Sequence, residues 1–301
     1  METTEKDFDL YISDERTIWE RIKSELKHVP IFPLIVIFLF VLFGLFGFLI
    51  APYDPNAISF GDTLVPPFWA EGGSTKYLLG TDHFGRDILS RIIIGTSISL
   101  QVGFLSVFIA GFVGAVVASV SGYLGGAVDA VLMRLVDMVI SFPFLILCVT
   151  LVAVVGAGKN NIIIILGIVS WAWYARVLRA EVLRLRDADF VRLAIVAGCS
   201  KTRIMVRHIF PNIINSLVIM ATLSLGVYII AEASLSFLGL GVPPPDPSWG
   251  NMVSEGRNYI GQAWWICTFP GIAILLVVLS FNILGDWLRV RLDPKFRQTM
   301  I

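Results

Sequence analysis

The sequence predicts an all-α polytopic membrane protein with six transmembrane helices and both termini in the cytoplasm. Hydrophobic residues make up 56% of the 301 residues, charged residues only 15%, and the mean hydropathy is +0.80. A soluble fold of this composition would leave a large apolar surface in water. Six apolar runs approach the roughly 20 residues that a helix needs to cross a bilayer. They are 31–51, 98–120, 138–155, 162–174 (continuing to about Leu178), 213–237 and 266–284.

The distribution of lysine and arginine predicts the orientation, because both residues favour the cytoplasmic side of a membrane. They are concentrated before the first span, between the fourth and fifth spans, and after the last span. The opposite side would hold only Lys76, Arg86, Arg91, Lys159 and Arg257. We therefore expect a multi-pass protein of the inner (cytoplasmic) cell membrane whose N- and C-termini are both cytoplasmic.

The predicted organisation starts with a cytoplasmic segment, 1–30, and the first transmembrane helix, 31–51. In the first segment Ile18, Trp19, Ile22 and Leu26 share one helical face, which favours an interfacial elbow helix over an ordinary solvated helix. An external loop with an amphipathic helix, 52–95, precedes the core, 96–289, and a cytoplasmic tail, 290–301. Within the core we expect a cytoplasmic loop at 179–212 and an external segment at 239–265.

Charged residues of the external loop predict a structured turn. Asp82 is a candidate N-cap of the amphipathic helix that follows it. Arg86, Asp87 and Arg91 stand at spacings that allow ion pairs along that helix, and we expect these pairs to be structural rather than substrate-binding.

The second and third spans carry packing and bending signals. Ala110, Gly114, Ala118 and Gly122 recur every fourth residue, which predicts a flat ridge for close helix packing, inside the subunit or against a partner. Asp129, Arg134 and Asp137 open the third span, where we expect them to pair with one another at the membrane interface. Pro143 predicts a kink.

The loop between the fourth and fifth spans predicts two short helices. Asp189 is a candidate N-cap for a helix over 190–197, and Gly198 is a candidate left-handed stop. Ser200 is positioned to cap a second helix over 201–210, which Pro211 is expected to end. Several apolar residues, Phe190 and Val191 among them, give the first helix an apolar surface. A docked partner would cover that surface, and folding back onto the bundle is the alternative.

Other candidate sites are few. Glu232 lies in the fifth span, where a carboxylate is a functional-site hypothesis, with pairing to a neighbouring residue as the equal alternative. The three cysteines and three histidines are scattered, so no metal site is indicated. The segment around Gly158, Lys159 and Asn160 lacks the first glycine and the Ser or Thr of a phosphate-binding loop, so we expect no ATP site.

The ordered set of motifs resembles a permease subunit of ATP-binding-cassette (ABC) importers, more narrowly the second permease of the dipeptide/oligopeptide/nickel group. Gly198 and Pro211 hold the spacing of the family's cytoplasmic loop motif, and Ala194 matches its second alanine. Arg192, however, replaces its glutamate. The peptide-group variant of the loop matches at Phe190-Val191, Arg203-Ile204, Arg207-His208 and Pro211-Asn212. Further matches are Leu79-Gly80-Thr81-Asp82, Gly85-Arg86-Asp87, Gly122-Tyr123-Leu124-Gly125-Gly126, Glu232-Ala233-Ser234-Leu235-Ser236-Phe237 and Pro247-Ser248-Trp249-Gly250.

This resemblance implies the type I ABC importer permease fold and a set of partners. It implies a second homologous permease, two ATP-binding subunits, and an external solute-binding protein that delivers peptides. The chain itself would bind no cofactor, no metal and no nucleic acid, and ATP would be bound by the partner subunits. The residues implied in coupling to the ATPase are Asp189, Phe190, Val191, Ala194, Gly198, Ser200, Arg203, Arg207, His208 and Pro211.

Two other functional classes stay open at this point. An ion-coupled secondary transporter predicts inverted repeats and broken-helix sites, and a membrane enzyme predicts convergent catalytic groups. We find no convincing repeat and no such group. Among ABC substrates, nickel chelates, glutathione and oligosaccharides are alternatives to peptides.

Overall fold

The computed structural model of the protein describes residues 30–292. The predicted elbow helix and residues 293–301 lie outside the described residues. Within 30–292 the chain forms ten α-helices, a short 3₁₀ turn and a π-turn, with no β-strand. The helices are α1 (Ile31–Ile50), α2 (Ile88–Leu124), α3 (Gly126–Ile140), α4 (Phe144–Val155), α5 (Lys159–Arg186), α6 (Asp189–Val196), α7 (Lys201–Ile204), α8 (Phe210–Phe237), α9 (Trp249–Arg257) and α10 (Trp265–Leu292).

The long helices confirm the all-α polytopic prediction. α1, α2, α5, α10 and the continuous run Lys201–Phe237 are each long and apolar enough to cross a membrane. The pair α3 and α4 is a sixth candidate if its two bent halves make one span. The first predicted span matches α1 to within one residue, the third is divided between α3 and α4, and the other four lie within longer helices. For example, α2 begins ten residues before the predicted second span, and α5 continues to Arg186. Charged and polar residues at the ends hid these extensions from an apolar-run criterion.

The bundle is built around the parallel pair α2 and α5. The small-residue ridge of α2 lies inside the subunit, against α5. A Cβ added at Gly114 would lie 2.3 Å from the Cβ of Tyr174, and one added at Gly122 would lie 2.8 Å from Cγ1 of Val182. Ser106 also donates a hydrogen bond to the Ile163 carbonyl at 3.1 Å. The sequence left open whether the ridge packs inside the subunit or against a partner. These contacts show that it packs inside the subunit.

The third predicted span is not one straight helix. α3 and α4 are bent by 87° at the Ser141–Pro143 break, a much larger deflection than the predicted kink. Pro143 stands at the N-cap of α4, so its missing N–H is not needed by a preceding helical turn. The two halves also belong to different hydrophobic clusters. Val136 of α3 packs with Ala172 and Ala175 of α5, whereas Cys148 of α4 belongs to the main core.

Residues 51–87, which we call the α1–α2 lobe, have no helix longer than the Phe60–Asp62 turn. The lobe is anchored by hydrogen bonds: Thr81 donates to the Asp62 carbonyl at 2.5 Å, and Trp265 Nε1 donates to the Thr81 carbonyl at 3.0 Å. Asp87, not Asp82, caps the following helix, because its carboxylate accepts the backbone N–H of Ser90 at 2.8 Å. The predicted amphipathic helix is therefore the first part of α2.

Asp82 instead organises a buried ion cluster. Its carboxylate accepts from Arg86 Nε at 2.6 Å and from Arg91 Nη1 at 3.3 Å. Both arginines also reach Glu255 of α9, at 2.9 and 3.4 Å. The predicted pairing of Arg86 and Arg91 with Asp87 is thus wrong, since Asp87 is engaged in capping. The cluster joins the lobe to α9.

Candidate functional site

The helix α6 occupies the middle of the loop between the two long helices α5 and Lys201–Phe237. It begins at Asp189, with Ala188 at the N-cap and no side-chain capping bond. The prediction that Asp189 is the N-cap is therefore wrong by one position. Asp189 stands in the first turn, where a negative charge interacts favourably with the helix dipole.

The C-terminal end of α6 is a Schellman motif. Gly198 has φ +77°, and its N–H donates to the Ile195 carbonyl at 2.9 Å. The N–H of Cys199 donates to the Ala194 carbonyl at 3.0 Å, so the last turn of the helix is closed by two bonds. This confirms Gly198 as the left-handed stop.

The two faces of α6 differ sharply in exposure. Val191 and Ala194 are buried in the main core and fix the helix to the bundle. On the other side Phe190, Leu193 and Val196 are 40%, 68% and 85% exposed. These three residues, which we call the α6 apolar face, stand three apart and so lie on one side of the helix. The sequence allowed the apolar surface of this helix to be covered by a docked partner or by the bundle itself. The bundle covers only Val191 and Ala194.

The second half of the loop continues directly into α8. Ser200 caps α7 as predicted, its hydroxyl accepting the Arg203 N–H at 3.3 Å. Pro211 does not end the helix, which corrects the prediction. The preceding residues Met205–Ile209 form a π-turn, in which the Phe210 N–H bonds back to the Met205 carbonyl. The regular helix starts again at Phe210, so Pro211 falls in the first turn of α8, where its missing N–H is tolerated.

Basic residues surround α6. The side chains of Arg192, Arg203 and Arg207 are exposed and make no ion pair with any residue in 30–292. His208 is partly buried, and its carbonyl accepts a 2.6 Å hydrogen bond from Asn212 Nδ2. The loop therefore presents an apolar helix face beside unpaired positive charges.

A further group of arginines, which the sequence did not separate from the loop, contacts α3 and the turn before it. Arg176, Arg179 and Arg186 lie on one side of α5, and we call them the α5 arginine face. Arg179 binds Asp129 through two parallel bonds of 2.6 and 2.5 Å, and Arg176 contacts Asp137. The prediction that Asp129, Arg134 and Asp137 pair with one another is wrong, because both carboxylates turn to α5.

Glu232 is fully buried in α8. One carboxylate oxygen accepts a 2.7 Å hydrogen bond from Ser236 Oγ, one turn later, and the other has no hydrogen-bond partner. Within the described part of the chain no basic side chain pairs with it. Its functional role stays a prediction.

Two other features bear on binding. A cavity of about 620 Å³ lies between α5, α8 and α10, lined by Glu181, Asn212, Asn215 and Arg289 among others, and none of the predicted site residues lines it. Separately, Asp82, His83 and Glu255 bring ligand-type atoms within 4.8 Å of one another. Because Arg86 and Arg91 already neutralise both carboxylates, this group is an ion cluster and does not fit a cation site.

Comparison with known proteins agrees with this architecture. Residues 110–298 match the family described as the binding-protein-dependent transport system inner membrane component. The chain is 42% identical over 264 residues to the di/tripeptide transport system permease protein DppC of Pseudomonas aeruginosa, covering 88% of this chain and 87% of the relative. It is 43% identical over 265 residues to the dipeptide transport system permease protein DppC of Escherichia coli K12, covering 88% and 87%.

More distant proteins share the fold. The glutathione transport system permease protein GsiD of Escherichia coli is 38% identical over 279 residues, covering 93% of this chain and 90% of the relative. A solved structure of the inward-facing MetNI methionine ABC transporter superposes with a TM-score of 0.57 at 17% identity, covering 68% of this chain and 98% of that chain. This last similarity concerns the fold alone.

Proposed function

This chain belongs to the family of binding-protein-dependent transport system inner membrane components, the permeases of ABC importers, and from this we propose that it is the permease of a peptide importer driven by ATP. The support for peptides is that relatives at 42% and 43% identity are named as di/tripeptide and dipeptide permeases. The glutathione permease, at 38%, transports a molecule that is itself a tripeptide, so the two substrate names agree chemically.

The observation that carries the proposal is the α6 apolar face. A short helix, closed at its C-terminus by the Schellman motif and anchored by Val191 and Ala194, holds Leu193 and Val196 out from the bundle, beside unpaired arginines. Exposed apolar surface on a rigid element is a feature of protein interfaces. We assign this face to an ATP-binding subunit, which would seat α6 in a groove and push it when ATP closes the ATPase pair. The resulting rigid-body movement would switch the access of the pathway.

The same assignment places α6 in the cytoplasm, together with both chain termini, and the α1–α2 lobe outside. The concentration of lysine and arginine at the α6 end supports this orientation. The lobe and α9, joined through the Asp82 cluster, then form the outer surface onto which a solute-binding protein would deliver its peptide. The membrane would be the inner membrane of the cell.

The chain requires a second permease. Nine of the fifteen residues of α3 are exposed, and only Val136 is fully buried. We assign the sides of α3 and α4 left uncovered in one subunit to a second, homologous permease, so that the substrate pathway runs between the two.

We assign no catalytic step and no cofactor to this chain. Lys159, the residue in the degenerate phosphate-loop segment, begins α5, and its Nζ donates to Gln101 Oε1 at 2.8 Å. ATP hydrolysis would belong to the two ATP-binding subunits.

Co-purification tests the docking assignment. The complex is expressed with its neighbouring genes, and Leu193→Asp with Val196→Asp is compared with the wild type. We expect the ATPase subunits to be lost and the partner permease to be retained. Phe60→Asp, at a side chain that is 78% exposed in the lobe, is the matched control and retains both. Equal ATPase recovery with the double variant would move the docking site elsewhere.

A further inference from the structure

The helix α3 has a weak hold on the main core. Its buried residue Val136 belongs to a small cluster shared with Ala172 and Ala175 of α5, separate from the main core that holds α4. At its start, two glycines with positive φ, Gly125 and Gly126, form the turn from α2. At its end the 87° break separates it from α4. Each end of α3 is therefore a break in the regular helical path of the chain.

The strongest polar attachments of α3 all lead to α5. The guanidinium of Arg179 donates a hydrogen bond to each carboxylate oxygen of Asp129, at 2.6 and 2.5 Å. The Arg179 side chain is 28% exposed and the Asp129 side chain 17% exposed. Arg176 adds a contact with Asp137, and Arg186 donates to the Gly122 carbonyl, just before the turn, at 3.2 Å. A two-bond arginine–carboxylate pair fixes orientation as well as distance. The α5 arginine face therefore sets where α3 lies.

The helix α5 is also the support of α6. It ends at Arg186, and α6 begins at Asp189, so only two residues separate them. A displacement of α6 is passed directly to the end of α5 that carries the arginine face. Since α3 is tied to that end of α5 and is bent away from α4, it would follow the end of α5.

We propose that Arg179, through its two-bond pair with Asp129, is a positioning residue that makes α3 move with the coupling helix α6 and so links ATPase closure to the broken span α3–α4. This inference rests on the proposed function, because it requires an ATPase docked on α6. It assigns to this pair the role of transmitting force, beyond that of holding the fold together.

The test separates transport from ATP hydrolysis. The full importer, with partner permease, ATPases and binding protein, is reconstituted in liposomes, and labelled dipeptide uptake and ATP hydrolysis are measured on the same vesicles. We expect Arg179→Asp to lower the uptake per ATP hydrolysed by about tenfold, in the range of ordinary coupling free energies. ATP hydrolysis itself continues. Asp129→Arg gives the same result, and the exchanged pair Asp129→Arg with Arg179→Asp restores most of the ratio.

The control variant is Arg184→Asp, which reverses a charge on α5 at a residue whose ion pair, with Glu181 at 3.6 Å, stays within the same helix. It leaves the uptake per ATP unchanged. A parallel fall of uptake and hydrolysis in the single variants, or an exchanged pair no better than either, would show that the pair only holds the fold together. If a single variant fails to assemble, Arg179→Gln and Asp129→Asn, which remove the charges but keep polar side chains, are measured in its place. A wild-type complex without ATP-driven uptake would refute the proposed function itself.

Discussion

Gly114 of α2 lies so close to Tyr174 of α5 that a β-carbon at position 114 would come within 2.3 Å of the tyrosine Cβ. The backbone oxygen of Trp171 would also lie at 2.9 Å. These two long helices form the centre of the bundle, and α5 leads directly to α6. Their close approach therefore supports α6, the helix to which we assign coupling.

Adding a methyl group at Gly114 should destabilise the protein. Gly114→Ala would force α2 and α5 apart, since backbone atoms cannot yield locally, and overpacking of this kind costs about 1–3 kcal/mol. We expect a lower thermal midpoint in detergent. Gly271→Ala is the matched control, because nothing lies within 4 Å of the added Cβ in α10. An equal midpoint for the two variants would contradict the packing described above.

Loss of Arg91 should weaken the link between the lobe and α9. Its guanidinium is almost wholly buried and contacts both Asp82 and Glu255. Because Arg86 still pairs with both carboxylates, the cost should be below the roughly 3–5 kcal/mol of a buried charge that is left unpaired. We expect Arg91→Ala to lower the thermal midpoint and to open residues 51–87 to protease. Lys76→Ala, which removes an exposed pair with Asp62, is the control and should leave both unchanged.

The stability of the folded lobe should decrease on mild acidification. Burial lowers the pKa of His83 below its usual 6.5, although Asp82 and Glu255 oppose the shift. The ring stacks on Tyr259 with centroids 5.0 Å apart. Because the folded state favours the neutral ring, its contribution to stability is complete above pH 6.5 and decreases as the pH falls through the lowered pKa.

Hydrogen exchange over residues 51–87, compared at pH 7.5 and 5.5 after correction for the intrinsic rate, measures this effect. We expect weaker protection at the lower pH, and no such loss in His83→Gln. A pH dependence that persists in the glutamine variant would assign the effect to other groups.

A side chain at Gly198 should loosen the end of α6. The space around its Cβ position is open, so only the left-handed backbone, with φ +77°, opposes a substitution. We expect Gly198→Ala to cost about 1–2 kcal/mol. Amide exchange over 189–199 should then speed up while the bundle is unaffected. Gly261→Ala, also in open space but without positive φ, is the control, and an equal response of the two variants would argue against the Schellman motif.

Much of this architecture could be predicted from the sequence because its signals are local. Apolar runs located the spans, and Gly198 and Ser200 marked helix boundaries by their own backbone and side-chain chemistry. The errors arise where the partner is distant in sequence. Glu255 lies 169 residues from Arg86, and no local pattern indicates that pairing. The same holds for Asp129, whose partner Arg179 is 50 residues away.

Two local predictions failed because neighbours changed the backbone. Pro211 was expected to end a helix, but the π-turn at Met205–Ile209 accommodates it. Asp82 was expected to cap α2, yet two buried arginines hold its carboxylate and leave the cap to Asp87. Pro211 could end one helix or stand in the first turn of the next, and Asp82 could cap a helix or bind arginines. In both places tertiary packing decided between the two roles.

The most direct test of the central claim is the energy source of uptake. Labelled dipeptide is offered, with the binding protein, to liposomes that contain the complete complex, with or without enclosed ATP and with or without ionophores that collapse ion gradients. An ABC importer predicts uptake that requires ATP and the binding protein and is unaffected by the ionophores. Uptake that proceeds without ATP and stops when the ion gradient collapses would contradict the account and identify a secondary transporter.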